Sequence, residues 1–311
     1  MKTALTTMNR NCGILILLAA AMAQIVFWAP FAPCATLETA SDQPEQAAPL
    51  QPAPPGWNTQ FTFGYLPSAD LHGMPASASI GEYRIKLARN IRLGNRFTLT
   101  LGGGYGLKHV DAAPIARLPE NLHILYLEAG ANYRFNEKNF VTLKMFPGIY
   151  SDLEGISGDA VRLPVLLLGG HSFDNGITLV GGMVYRFGYH SAELIPVIGL
   201  SYQPNEKWRV DMIAPRPGVT YSASRQVRLF IAGDLASDEY ELKDPAVGAE
   251  VIKYRDYKVM GGIEYLPRRT VKISGALGYA FDRGFDFYNG NRGSIQLDNV
   301  PFLLLSLDLG W

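Results

Sequence analysis

From Trp57 onward, apolar side chains recur at every second position of this chain, and that period decides what kind of element it can build. In Gly81–Leu93, Tyr83, Ile85, Leu87 and Ile91 share one face; Glu82, Arg84, Lys86, Asn90 and Arg92 share the other, and only Arg89 interrupts the apolar set. In Arg96–Lys108, Phe97, Leu99, Leu101, Tyr105 and Leu107 alternate with Thr98, Thr100, Gly102, Gly104 and Gly106. Leu125–Phe135, Ile177–Gly188 and Val271–Asp282 repeat the pattern, while Val161–Gly170 is apolar on both faces. Successive side chains of a strand point to opposite sides, so each alternating segment is expected to be a strand with one oily and one polar face.

Short polar connections at Leu93–Asn95, Asn136–Asn139, Asp174–Gly176, Pro204–Lys207 and Pro267–Arg269 alternate with longer ones. The longer set is Pro67–Ser79, Val110–Glu120, Asp152–Asp159, Lys243–Ala249 and Phe287–Asn299. An up-and-down meander shows this rhythm when all its tight turns lie at one end. Eight strands fit before Pro204 and three after Ala249, and Trp208–Ala214, Val219–Ser224 and Val227–Glu241 keep the phase between them. The expectation is an all-β, antiparallel, up-and-down transmembrane β-barrel of fourteen strands over residues 57–311. Twelve strands result if the Pro215–Gly218 piece is loop and a neighbouring segment leaves the wall.

A closed meander of that size encloses more space than an apolar core fills, so the polar face is expected inside and the apolar face outside, against lipid. The inward set is then Glu82, Arg84, Lys86, Arg92, Glu128, Arg134, Lys144, Arg186, Arg209, Asp211, Arg228, Asp234, Lys258, Glu264, Lys272, Asp282 and Asp308. These charges either pair across strands and brace a largely closed barrel or line a water-filled pore, and glycines at inward positions leave room for a narrow passage. Tyr65, Tyr105, Tyr133, Tyr185, Tyr189, Tyr202, Tyr257, Tyr265 and Tyr279 fall near the ends of apolar faces, where an aromatic girdle would sit.

Residues 1–35 read as a secretory signal: Lys2 and Arg10 precede the apolar run Gly13–Trp28, and Ala29, Ala32 and Ala35 follow. Residues 36–56, rich in Pro, Gln and Ala, cannot bury enough apolar area to offset chain entropy and are expected to be a disordered linker. Cys12 lies in the signal and Cys34 beside its expected end, so no disulfide is expected within the exported chain. Lys plus Arg number 28 and Asp plus Glu 28, a balance that argues against nucleic-acid binding.

The last ten residues place Leu303, Leu305, Leu307, Leu309 and Trp311 on one face, with Ser306, Asp308 and Gly310 opposite. This stretch resembles the closing strand of bacterial outer-membrane barrels, whose terminal aromatic and alternating apolar residues are the signal read by the barrel-assembly machinery. The wider chain resembles a porin-like outer-membrane β-barrel family of unknown function. The resemblance implies a bacterial outer-membrane location, with membrane lipid and the assembly machinery as partners, and implies no activity.

Enzymatic chemistry has little support. His190-Ser191 and His171-Ser172 are adjacent pairs, and neighbours on a strand face opposite sides, so neither histidine readily serves its serine. No catalytic residue, metal-ligand set or cofactor is expected. The leading functional expectation is a passive channel for small polar solutes through a charged lumen. The alternative is a structural or interaction barrel with a plugged lumen, acting through loops and leader, and an outer-leaflet lipid hydrolase ranks below both.

Overall fold

The computed structural model describes residues 56–155, 157–191 and 193–311; the expected signal and nearly all of the expected linker lie outside the described residues. Sixteen strands follow in order: β1 (Gly56–Asp70), β2 (Ser77–Leu93), β3 (Phe97–Ala112), β4 (Asn121–Arg134), β5 (Asn139–Met145), β6 (Gly148–Ser151), β7 (Val161–Ser172) and β8 (Ile177–Phe187), then β9 (Leu194–Tyr202), β10 (Trp208–Met212), β11 (Gly218–Ser222), β12 (Val227–Glu241), β13 (Ala249–Arg268), β14 (Val271–Gly290), β15 (Ile295–Leu297) and β16 (Val300–Gly310). Each wall strand pairs antiparallel with its neighbours in the chain, and β1 pairs with β16 to close the ring.

Fifteen of these make a wall of fourteen strands, because β15 lies off the ring and β5 with β6 form one interrupted strand between β4 and β7. Pro147 causes the interruption, since it has no N–H for the ladder. The ladder survives around it: the Pro147 carbonyl accepts from Leu127 at 2.9 Å and Phe146 N donates to Pro164 at 3.0 Å. The Pro215–Pro217 piece is loop, yet β10 and β11 still flank it in the wall, so the count is fourteen and not twelve. Both chain ends of the barrel meet at the tight-turn end, where Trp57 N donates to the Trp311 carbonyl at 2.7 Å.

The apolar stripe faces outward. Leu127, Ile198 and Leu277 are 66%, 86% and 68% exposed, whereas their neighbours Glu128, Val197 and Ala276 are buried. The interior has two strata. Toward the tight turns it is polar and charged; toward the long loops Leu66, Ile80, Leu122, Tyr150, Ile252 and Phe285 belong to one apolar cluster.

The wall is uneven at the loop end. β10 meets β9 over only Val210–Met212, and β10 and β11 are five residues each, while β12 runs for fifteen. The far end of β12 leans across this low sector and meets β6, although β7 to β11 separate the two around the ring. Glu241 and Ser151 form a parallel bridge there, and Asp152 N donates to the Glu241 carbonyl at 3.1 Å.

A hydrogen-bonded ring resists opening by detergent because no strand peels from a long edge. Refolded protein loaded unheated on an SDS gel is therefore expected to migrate differently from a boiled sample. Equal mobility in the two lanes would contradict the closed ring.

Candidate functional site: the barrel interior

Glycines on β3 let charges meet across it. Lys86 on β2 pairs in register with Gly104, and Glu128 on β4 with Gly102. With no side chains between them, Lys86 Nζ reaches Glu128 Oε2 at 2.9 Å, and Lys144 lies 3.8 Å from the other oxygen. A Cβ at Gly104 would stand 2.5 Å from the Tyr126 hydroxyl and 2.7 Å from the Ile85 carbonyl, so no larger residue fits. Opposite, Glu264 sits between Arg228 at 3.8 Å and Lys272 at 4.0 Å, and Lys272 also faces Asp308 at 3.6 Å. Arg209 grips Asp211 through two nitrogens at 2.5 and 2.9 Å, and Arg216 holds Asp234 at 2.8 Å. Glu128 and Glu264 are 2% and 1% exposed, so these carboxylates depend on their cations rather than on water.

Higher up, Lys258 bridges Glu82 and Asp256 at 2.9 Å each. Arg84 is half-buried beside Gly106 on the same face. Arg92 is exposed and Arg134 half-buried, both at the tight-turn mouth. Asp282 departs from the expected inward set. It occupies a bulge at φ 48°, and the bulge shifts the phase of β14: Arg283 and Phe285 become the buried residues, and Asp282 meets Arg255 at 3.6 Å instead.

The leaning end of β12 gathers a further set of contacts at the loop side. Glu239, fully buried, accepts from the amides of His190 at 2.7 Å and Ser191 at 3.1 Å and from the Ser191 hydroxyl; Arg186 stands 3.9 Å away. The Tyr189 ring lies 3.8 Å from the Arg186 guanidinium, so this tyrosine is an interior side chain and not part of an outer girdle. On the other face of β12, Asp238 takes the Lys108 ammonium, which also donates to the Tyr240 hydroxyl at 3.1 Å. At the tip, Glu241 accepts from Ser157 at 2.5 Å and pairs with Lys243, and Asp152 accepts from the amides of Lys243 and Asp244 at 2.8 and 3.2 Å. The bond to Glu241 holds the Lys243 ammonium above its ordinary range.

The sequence reading omitted Lys108, Asp238 and Asp256, although each shares the inward phase of its strand and extending the alternation finds them. Glu239 and Glu241 carry the outward phase and are buried because the end of β12, still paired with β13, leans onto β6 and the β8–β9 connection. His190 presents its backbone to Glu239 and stacks its ring on Tyr288 at 5.8 Å; His171 bonds Asn139 at 2.8 Å and His123 bonds Tyr105 at 2.8 Å. Ser191 gives its hydroxyl proton to Glu239 rather than to a histidine.

Among solved structures, the chain is similar to the COG4313 outer membrane channel from Pseudomonas putida F1, at 14% identity over 87% of this chain and 99% of that one, with a TM-score of 0.50. It is also similar to the TodX deltaS2S3 mutant monoaromatic hydrocarbon channel, at 12% identity over 83% and 91% of the two chains, with a TM-score of 0.51. At these identities the likeness is one of fold, a barrel of the kind that bacterial outer-membrane channels use. No curated protein matches the sequence. The family model described as "Domain of unknown function (DUF6268)" matches residues 97–292, most of the barrel, and the chain belongs to that family.

Proposed function

We propose that the protein is an integral barrel of the bacterial outer membrane and a passive, gated channel for small polar solutes, with no enzymatic activity. The membrane reading rests on the outward apolar face, which water would not tolerate around a whole cylinder. The observation that supports a gate is the β12 end. It blocks the interior through a single strand bridge, capping bonds and charge pairs, all of which can separate without breaking the wall ladder. Below it lies a charged stratum of mixed sign, which suits polar solutes and gives little preference between anions and cations. At Ser191 the hydroxyl proton goes to Glu239, which also holds two backbone amides, so the His190–Ser191 pairing that a Ser–His hydrolase would need is not made.

A disulfide tests the gate. With Cys12 and Cys34 replaced by Ser, the pair Ser151→Cys and Glu241→Cys joins the two bridged positions, whose Cα spacing in a β-bridge suits a disulfide. In planar bilayers the oxidised protein is expected to be silent and the reduced protein to show single-channel steps. Silence in both states rejects the channel. It supports instead a structural barrel, a reading favoured by the burial of Lys86, Glu128, Glu264 and Lys272 in closed ion-pair sets.

A further inference from the structure

Arg89 is the one charge on the apolar face of β2, and the interior explains nothing about it. It is exposed, points outward with Tyr83, Ile85 and Leu87, and stands opposite Trp57 in the β1–β2 register. Its guanidinium lies 5.4 Å from the centre of the Trp57 ring. Trp57 is itself bonded to Trp311 through both backbone directions, at 2.7 and 3.0 Å. Trp208, the remaining tryptophan of the described residues, also begins its strand at the tight-turn end, with Tyr221 beside it at 4.7 Å. Indoles prefer the interface between hydrocarbon and headgroups, so this ring of aromatics marks the level where headgroups begin.

Just beyond that level the surface is cationic. Arg92, Arg96, Lys207, Arg225, Arg268 and Arg269 are all exposed at or beside the tight turns. Glu137, Glu206 and Asp174 are the acids there, and Asp174 is paired with Lys138 at 2.7 Å. The loop end has the opposite sign: Asp111, Glu120, Glu154, Asp159, Glu193 and Glu250 are exposed, against the cations Arg117, Lys243 and Arg292. A chain with no net charge is thus polarised along the barrel axis.

We propose that the tight-turn rim is a docking collar for anionic phospholipid headgroups, with Arg89 and Trp57 as its principal contact. This rests on the membrane reading above. Short turns face the periplasm in such barrels, which sets the collar in the phospholipid leaflet. A phosphate at headgroup depth meets Arg89 from the side and the turn arginines from below, while Trp57 packs the glycerol and upper acyl chain.

The test uses the full refolded chain in vesicles of phosphatidylcholine alone or mixed with phosphatidylglycerol. Insertion is measured by protease protection, and retained lipid by native mass spectrometry after transfer to detergent. The expected result is insertion into both vesicles, with phosphatidylglycerol retained well above its share of the mixture. Arg89→Ala should reduce that preference about fivefold and the pair Arg268→Ala, Arg269→Ala further, in keeping with about 1 kcal/mol for each cation at a lipid surface. Arg89→Lys should keep most of it, and Glu120→Gln at the other end should leave it unchanged. Insertion into both vesicles with no headgroup preference, or a preference that survives Arg89→Ala and the double variant together, overturns the collar and leaves the membrane reading intact. Failure to insert into either vesicle overturns both.

Discussion

Glu128→Ala is expected to destabilise the refolded barrel by about 3–5 kcal/mol, the scale for breaking a buried pair from one side. Glu128 is 2% exposed and Lys86 5%, and the side chains meet at 2.9 Å over the glycines of β3. Removing the carboxylate leaves the Lys86 ammonium in a place with little access to water, with Lys144 nearby as a second cation. Two like charges then face each other where one anion held both. The urea midpoint of unfolding, followed by tryptophan fluorescence in detergent, reads the loss directly. If the charges brace the wall as a unit, the double variant Lys86→Met, Glu128→Leu should recover more than half of it, because the buried ammonium is gone and the remaining cation, Lys144, is the more exposed of the two. An unfolding midpoint for Glu128→Ala equal to that of the unmodified protein would show that the pair carries no load.

The second large effect falls on the gate proposed at the end of β12. Glu239→Ala deletes the acceptor shared by the His190 and Ser191 amides and the Ser191 hydroxyl and strips Arg186 of a carboxylate in a fully buried place. Each neutral bond lost costs about 1 kcal/mol and the charged ones more, so the closed arrangement loses several kcal/mol in total. An equilibrium shifts tenfold for every 1.4 kcal/mol or so, and an increase in open-channel events of at least about a hundredfold follows. His190→Ala is the sharp control. It removes the ring, which stacks on Tyr288, bonds Asn289 at 3.3 Å and approaches Glu239 only at 3.9 Å, but keeps the amide that Glu239 binds at 2.7 Å, so its effect on opening should stay well below that of Glu239→Ala. A large effect from His190→Ala together with none from Glu239→Ala would place the closing contact on the imidazole and refute the carboxylate latch.

The inward charges do two kinds of work in this barrel. Ion pairs tie strands to one another along the inner wall: Lys272 to Asp308 and Arg228 to Glu264 between neighbours, and Lys86 to Glu128 over the intervening β3. They stiffen the cylinder without crossing it. Other contacts join strands that are not neighbours: Lys108 on β3 to Asp238 on β12, Lys258 on β13 to Glu82 on β2, and β12 to β6 and to the β8–β9 connection.

Much of this architecture was legible beforehand, and the reason is local. Side-chain alternation is a property of consecutive residues, so Glu82–Arg84–Lys86 against Tyr83–Ile85–Leu87 declared the two faces of β2 without knowledge of any other strand. Turn lengths are equally local, and their rhythm carried the count to fourteen, including Val227–Glu241, whose limits agree with β12. Phase could also have identified Lys108 and Asp238. It could not identify Glu239, Glu241 or Asp282. Asp282 depends on a bulge, an extra residue that flips every later position of β14. Glu239 and Glu241 face outward by parity and become interior because short β10 and β11 leave a low wall over which β12 leans to β6. Periodicity along a strand thus decided which side of the sheet is oily. Which outward-phase residues become interior depended on residues some ninety positions apart meeting across the loop end, a relation that only the folded chain contains.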